Sequence, residues 1–404
     1  MGKKALEGVK VADFSWVVTG PFTTFFLAAC GATVIRIESS TRVDMLRTIP
    51  PFKDKRPGVN RSGYYAMYNN NKYGIALNLK HPKAIEIAKK IISWADIVAE
   101  NFTPGIMKKL GLSYEDVIKF KPNIIMLSTC MQGQYGPRAT HPGYGGQLSS
   151  LCGFPYLCGW PDRSPVRPSG AYTDIIGPRF GAAALVAALI YRLKSGKGQF
   201  FDLSQFEASL HFLAPVIMNY MTNGEITHRA GNRHPFRAPH GAYPCKGEDK
   251  WCVISVSTDE EWQRLCDAMG NPSLAKDPRF QTVLDRKKNE EELNELIGGW
   301  TSNFTPYEIM INLQKVGVAA GIAQNTEELH SDPQLVHRQH FVRLNHAEIG
   351  HYTGYLPSFR LSNTPPELEM PAPCLGEHNY HVYTEVLGLS DEEFAELCSE
   401  GVFD

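Results

Sequence analysis

Residues 8–39, "GVKVADFSWVVTGPFTTFFLAACGATVIRIES", predict a βαβ unit. A short apolar strand leads into an apolar helix that ends at a glycine, and a second strand then ends on Glu38 and Ser39. Strand, helix and strand within about 30 residues place two parallel strands side by side, joined by a right-handed crossover. We therefore expect a parallel sheet at the start of the chain.

The same alternation continues, with strands predicted at 73–80, 96–102 and 123–130 and a helix at 82–95. This pattern is typical of a doubly wound, Rossmann-like α/β domain, whose ligands bind outside the carboxyl ends of the strands. The residues that follow the predicted strands are therefore candidates for a binding site. They are Val17 and Val18, Ser39, Asn78 to Lys80, Asn101 to Thr103, and Cys130 to Gln132.

The second half of the chain predicts a smaller α+β domain. We expect the large domain to comprise 1–200 and 340–404, with the small domain at 226–320. The connections are predicted as a buried linker helix at 201–225 and a second linker at 321–339.

Composition narrows the classes of function. The net charge of −1 over 404 residues argues against a nucleic-acid-binding protein, which usually carries a basic surface. The longest apolar run, 180–191, is shorter than a membrane span, so no membrane association is expected. The nine cysteines include no CxxC pair, which predicts reduced thiols, no metal site and a cytoplasmic location.

Several common catalytic motifs are missing from the sequence. It contains no GxGxxG in the first βα turn, no GxxxxGK[ST] and no GxSxG. Dinucleotide binding in the usual mode, a P-loop and a hydrolase nucleophile elbow are therefore not predicted.

A single carboxylate, Asp174, begins the apolar stretch "GAYTDIIGPRFGAAALVAAL" (170–189). One interpretation is a helix N-cap, with the helix starting at Ile175. The other is a covalent nucleophile, since an aspartate with an ordinary pKa of about 3.9 is ionised at neutral pH and attacks activated acyl groups such as thioesters. The local pattern alone leaves both roles open.

Several stretches together resemble the family III CoA-transferases, the group of formyl-CoA and carnitine CoA-transferases. They run from the first strand to the last helix: "TGPFTTFFLAACGATVIRIE", "NKYGIALNLK", "ADIVAENFTPGIMKKLGL", "TDIIGPRFGAAALVAALIYRLKSGKGQFFDLSQFEASL", "SDPQLVHRQHF" and "PAPCLGEHNYHVYTEVLGLSDEEFAEL".

The resemblance implies that Asp174 is the nucleophile, which carries CoA as an aspartyl thioester between an acyl-CoA donor and a carboxylic acid acceptor. CoA thioesters are then substrates, and no permanently bound cofactor is expected. The resemblance also implies an interlocked dimer, expected to be a homodimer, with a heteromer of related subunits as the alternative.

The resemblance further assigns a set of CoA-binding positions. Lys109 stands where the family more often has arginine, and Ser39 stands at a position where arginine is also frequent, with Arg42 as its expected substitute. The expected CoA-binding residues are Val17, Val18, Arg42, Leu77, Asn78, Lys80, Asn101, Phe102, Thr103, Lys109 and Tyr144.

Two further readings and a substrate expectation remain. The related α-methylacyl-CoA racemases have a histidine where Tyr144 stands here, with His141 three residues earlier; a second alternative is the catalytic subunit of a heteromeric transferase.

Residues 158–174 most resemble the branch that handles larger acids such as benzylsuccinate. We therefore expect a donor such as succinyl-CoA and an aromatic or dicarboxylic acceptor, with Phe154, Tyr156, Trp160 and Tyr172 as acyl-pocket candidates.

Overall fold

The computed structural model describes residues 4–404, which form two compact units. The larger unit runs to Phe154 and continues through Arg167–Ile226 and His337–Asp404. The smaller unit comprises Pro155–Val166 and Thr227–Val336. Residues 155–166, expected in the large domain, belong to the smaller unit, and so do residues 321–336, expected as a linker.

The larger unit is built on six parallel strands in the order β3-β2-β1-β4-β5-β6. Their bounds are β1 Lys10–Asp13, β2 Thr33–Glu38, β3 Lys72–Ala76, β4 Ile97–Glu100, β5 Ile125–Cys130 and β6 Gln199–Ser204. This is the doubly wound Rossmann order, and the strand order reverses between β1 and β4. The predicted α/β class and parallel sheet are confirmed.

Ten α-helices lie within residues 19–223, the seventh of them almost entirely in the smaller unit. They are α1 Thr19–Ala29, α2 Gly63–Tyr68, α3 Pro82–Trp94, α4 Ile106–Lys109, α5 Tyr114–Val117, α6 Gly145–Leu151, α7 Phe154–Leu157, α8 Tyr172–Ser195, α9 Gln205–Leu210 and α10 Ala214–Asn223. Helix α3 shows why the sequence folds this way: Ala84, Ile87, Ala88, Ile91 and Ile92 recur at helical spacing and form one buried face.

The predicted linker helix at 201–225 is only partly present, since α9 and α10 occupy 205–210 and 214–223. Residues Gln199–Ser204 instead form β6, which pairs in parallel with β5. Its two phenylalanines favour a strand, and the exposed edge of β5 supplies the backbone partners. Helix α10, which follows later, has no buried residue and is not the buried helix that was expected.

Helix α8 is longer than the apolar run predicted from the sequence. Its 24 residues and apolar composition meet the length and hydropathy criteria for a membrane span, which the core helix of a soluble protein also meets. It packs against α1, α6 and α9 of the larger unit.

The smaller unit contains an antiparallel sheet of three strands, β7 His240–Pro244, β8 Trp251–Ser255 and β9 Ala319–Ile322. Its helices are α11 Asp259–Ala268, α12 Val283–Lys288, α13 Glu290–Thr301, α14 Pro306–Lys315 and α15 Thr326–Ser331, followed by α16 Pro333–His337. Buried Trp262, Phe280 and Ile297 lie in its core. Back in the larger unit, β10 Phe341–His346 and β11 Gly350–Tyr355 form a hairpin, and α17 Asp391–Ser399 ends the chain.

Candidate functional site

Asp174 lies in the first turn of α8, two residues inside the helix start at Tyr172. The N-cap is Ala171, so the predicted capping role of Asp174 is wrong. The carboxylate instead accepts a hydrogen bond from the Thr19 side chain. The helix starts earlier than expected because Tyr172 and Thr173 already adopt helical geometry.

The pKa of Asp174 is about 7, far above its ordinary value. Burial of the carboxyl group raises the pKa, and the hydrogen bond from Thr19 opposes the rise only in part. The expected full ionisation at neutral pH is therefore replaced by a mixture of the two forms. A partly desolvated carboxylate is a stronger nucleophile than a solvated one, and it lies where the positive end of the α8 dipole supports its charge.

Two glycines make room for this carboxyl group. A β-carbon on Gly145, the first residue of α6, would lie 2.6 Å from the carboxyl carbon of Asp174. A β-carbon on Gly177, one turn along α8, would lie 3.2 Å from Thr19 and 3.3 Å from Gln205. The small residues of the predicted apolar stretch thus allow α1, α6 and α8 to meet around Asp174.

A cavity of about 180 Å³ opens beside Asp174. It lies at the carboxyl ends of β1, β4 and β5, as expected for a doubly wound sheet. The predicted site residues that line it are Val17, Val18, Asn101, Phe102, Thr103, Tyr144 and Asp174.

The loop after β1 is held in a strained conformation. Val17 has a φ of 65°, which is rare for a β-branched residue. Its backbone N–H donates to Asp44 at 3.0 Å, and Asp44 is ion-paired with the buried Arg36. Strain of this kind persists where the surroundings fix the backbone, and it is frequent at functional sites.

Asn101 fixes the same loop from β4. Its side-chain oxygen accepts from the backbone N–H of Trp16 at 2.7 Å, and its amide donates to the Trp16 carbonyl at 2.6 Å. Both atoms of the Asn101 amide group are therefore engaged with the protein. Its contribution to the cavity is to position the β1 loop.

A second cavity, of about 300 Å³, adjoins the first, because Phe102 and Thr103 line both. The predicted site residues in it are Arg42, Leu77, Asn78, Lys80, Phe102 and Thr103. The Arg42 guanidinium lies 5.7 Å from the centre of the Trp16 ring, and Trp16 meets Phe102 edge to face at 6.1 Å. The two cavities thus share part of their lining, and two cationic side chains, Arg42 and Lys80, line the second.

Ser39 also lines the second cavity, but its hydroxyl is already engaged with Thr41 and the carbonyl of Asp404, each at 2.8 Å. Arg42, three residues on, lines the same cavity, and its role as the substitute cation stays a prediction. Lys109 is exposed at the end of α4 and lines neither cavity.

Two of the four aromatic candidates for an acyl pocket, Phe154 and Tyr172, pack edge to face against each other at 5.1 Å. Tyr156 contacts His228, and Trp160 packs on Gly231 in the smaller unit. None of them is among the residues that line the two cavities. Most of the side chains that line the cavity beside Asp174 are instead polar or small.

Sequence reasoning missed Thr19, Thr129 and Gln205, which line the Asp174 cavity. Thr19 directly follows the predicted Val17 and Val18, so extending that loop by one residue would have included it. Gln205 follows β6, and the mistaken helix prediction at 201–225 concealed it. Thr129 lies within β5, and nothing in the local sequence pattern indicates that it lines a site.

Comparison with known proteins identifies the family to which the chain is similar. The family model described as CoA-transferase family III matches residues 6–379. The chain is 32% identical to succinyl-CoA–D-citramalate CoA-transferase of Chloroflexus aurantiacus, over 99% of this chain and 98% of that protein. It is 31% identical to human succinyl-CoA:glutarate CoA-transferase, over 99% and 90% of the two chains.

A solved structure also matches over nearly the whole chain. The crystal structure of a CaiB/BaiF family protein from Brucella suis superposes with a TM-score of 0.88 at 29% identity, covering 95% of this chain and all of that one. Both the sequence and the fold are thus shared with known proteins along their full length.

Proposed function

The chain belongs to CoA-transferase family III, and we propose that it moves CoA from succinyl-CoA to an aliphatic dicarboxylic acid through Asp174. One observation carries the proposal: a buried carboxylate with a pKa of about 7 lies at a helix start and lines a cavity, and a neighbouring cavity that shares Phe102 and Thr103 with it is lined by Arg42 and Lys80.

The reaction begins when an Asp174 oxygen attacks the thioester carbonyl of the donor. The carbon–sulfur bond breaks, CoA leaves as a thiolate, and a mixed anhydride remains on Asp174. The thiolate then attacks the aspartyl carbonyl and displaces the donor acid as its carboxylate, which leaves an aspartyl-CoA thioester.

The acceptor runs these two steps in reverse. Its carboxylate attacks the carbonyl of the aspartyl thioester. The CoA thiolate leaves, and a second mixed anhydride remains between Asp174 and the acceptor acid. The thiolate then attacks the acceptor's carbonyl, so the acyl-CoA product leaves and the Asp174 carboxylate is restored. Thioester energy is conserved throughout, and no nucleotide is consumed.

The two cavities suggest where each part of the CoA ester lies. The acyl group and thioester belong beside Asp174, with Val17, Val18, Thr103 and Tyr144 around them. The more distant part of CoA extends past Phe102 to Leu77 and Asn78. Arg42 and Lys80 then meet its phosphates, Arg42 with a planar fork of donors and Lys80 as a point charge.

The choice of substrate rests on the relatives. The named transferases use succinyl-CoA with citramalate or glutarate. An aromatic acceptor of the benzylsuccinate type has less support, because Phe154, Tyr156, Trp160 and Tyr172 do not line the cavity beside Asp174.

We propose that two copies of the chain interlock as a homodimer. Val186, Ile190 and Leu193 form an exposed apolar stripe on α8, and Met218 and Met221 are exposed on α10. Such stripes are costly in water unless a partner covers them. One relative is named as the beta subunit of a succinyl-CoA–L-malate CoA-transferase, so a heteromer is the alternative. Sedimentation of the purified chain as a dimer supports the proposal, and an active monomer contradicts it.

His141 gives a reason to test the racemase alternative, because it lines the same cavity as Asp174. A phenol keeps its proton at neutral pH, so a tyrosine is a weaker general base than the histidine found in the racemases. The purified protein is incubated in D₂O with a 2-methylacyl-CoA, with succinyl-CoA and a panel of acids in parallel, and the thioesters are weighed by mass spectrometry. We expect CoA exchange without deuterium at the α-carbon. Rapid deuterium uptake without any acceptor acid would instead show racemase chemistry.

A further inference from the structure

Two polar side chains in the Asp174 cavity have no hydrogen-bond partner within residues 4–404. The Thr129 hydroxyl is completely buried, and Gln205, whose side-chain oxygen is unpartnered, is 6% exposed. A buried polar group without a hydrogen-bond partner lowers the stability of the folded state. Their position in the cavity indicates that a bound ligand supplies the missing hydrogen-bond partner of each group.

The fold brings these two groups to one place. Thr129 is the last residue but one of β5, and Gln205 directly follows β6. The two strands are parallel neighbours, with Cys130 opposite Ser204, so both residues lie at the same edge of the sheet. The Gln205 side chain packs against α8 at Gly177, one turn from Asp174. The pair therefore lies beside the reacting carboxylate.

The hydrogen-bonding chemistry of Thr129 and Gln205 limits which functional group of a ligand binds there. The residues that line this cavity include no lysine or arginine, and His141 is their one basic side chain. A carboxylate only accepts hydrogen bonds, so it would leave the Gln205 oxygen without a donor. A hydroxyl both donates and accepts: it donates to Gln205 and accepts from Thr129.

We propose that Gln205 and Thr129 bind a hydroxyl group on the acyl chain, so that the enzyme selects hydroxy acids over the same acids without the hydroxyl. This inference rests on the proposed function and adds the class of acid. Gln205 and Thr129 are specificity-determining residues that contact the substrate away from the bonds that change.

The test compares acids that differ only in the hydroxyl group. The kcat/KM for transfer from succinyl-CoA is measured with glutarate, 2-hydroxyglutarate and 3-hydroxyglutarate. We expect the wild-type enzyme to prefer one of the hydroxy acids by at least about tenfold, since a site built for a substrate hydroxyl discriminates against the analogue that lacks it. Gln205→Leu and Thr129→Val should bring that ratio close to one, and Thr129→Ser should keep it.

Gln132→Leu is the matched control. Its side-chain nitrogen is also buried without a partner, but Gln132 lines neither cavity, so the preference should stay. Thermal unfolding confirms that each variant is folded. No hydroxyl preference in the wild type, or an equal loss with all three acids in the Gln205 and Thr129 variants, would overturn the inference. Absence of transfer to any acid would overturn the proposed function itself.

Discussion

Gly145 packs so closely on Asp174 that a β-carbon on the glycine would lie 2.6 Å from the carboxyl carbon of the aspartate. Real β-carbons do not approach other atoms to this distance, so any larger residue at position 145 must displace the carboxyl group. The start of α6 therefore sets the position of the nucleophile on α8.

Gly145→Ala should lower kcat by about 100-fold or more, because a displacement of about 1 Å at the reacting group has an effect of this size. The neighbouring Gly146→Ala is the matched control. Its new β-carbon would meet only the end of the flexible Arg167 side chain, which can move aside. Steady-state kinetics of the two variants, with thermal unfolding to confirm folding, test the prediction. Equal activity in both would contradict it.

The pH dependence of kcat/KM for succinyl-CoA should follow the ionisation of Asp174. Only the carboxylate form attacks, and its pKa is about 7, so kcat/KM should rise as pH rises through 7 and level off above about 8. Thr19→Val removes a hydrogen bond to the charged form and should move the rise to higher pH.

Two controls separate this effect from other groups. Thr23→Val, one turn along α1, removes a hydroxyl bonded to the helix backbone and should leave the profile unchanged. Glu100 also has a pKa of about 7, because it is buried near Asp202, so Glu100→Gln tests whether it contributes. A flat profile between pH 5 and 9, or a shift to lower pH in Thr19→Val, is incompatible with Asp174 as the titrating nucleophile.

Lys72→Met should destabilise the protein by about 3–5 kcal/mol, because the buried Asp13 would keep only the more distant Arg36, at 3.9 Å, as a cationic partner. The Lys72 ammonium lies 3.1 Å from Asp13, both side chains are fully buried, and burial lowers the pKa of Lys72 to about 8. Lys83→Met breaks exposed ion pairs with Glu396 and Glu400 and should change the free energy of unfolding much less. Urea unfolding measures both, and similar values for the two variants would refute the prediction.

Arg42→Ala and Lys80→Ala should each raise KM for succinyl-CoA by about 5–30-fold with little change in kcat, because charge-assisted hydrogen bonds to phosphate contribute about 1–2 kcal/mol. Lys109→Ala should change KM less, since Lys109 lines neither cavity. Initial rates over a range of succinyl-CoA concentrations distinguish the three. A larger increase in KM for Lys109→Ala than for the other two variants would contradict this assignment and indicate that the CoA phosphates bind near α4.

The sheet was predictable because β1 to β5 are short, nearly continuous apolar runs that alternate with helices. β6 was not, since "FFDLSQFEASLHFL" has apolar residues at spacings that suit a helix, and its pairing with the distant β5 decides the outcome. Local pattern contains no information about such a partner. The same holds for Lys72 and Arg36, whose burial depends on Asp13 from another strand.

The candidate site was predictable where residues follow strands, as with Val17, Val18 and Thr103. The pKa of Asp174 and its contact with Gly145 depend on three helices that meet in space, and neither could be inferred from sequence spacing. Lys109 is an example of the opposite kind: the motif predicts it as a site residue, but in the structure it lines neither cavity.

Covalent capture of CoA on Asp174 tests the central claim most directly. The enzyme is mixed with succinyl-CoA without an acceptor acid, quenched rapidly, and analysed by intact-protein and peptide mass spectrometry. We predict a CoA adduct on the peptide that contains Asp174, removed by hydroxylamine or by an acceptor acid and missing from Asp174→Ala, which should also lack turnover. Near-normal transfer by Asp174→Ala, or full wild-type turnover with no adduct on that peptide, would contradict a covalent role for Asp174.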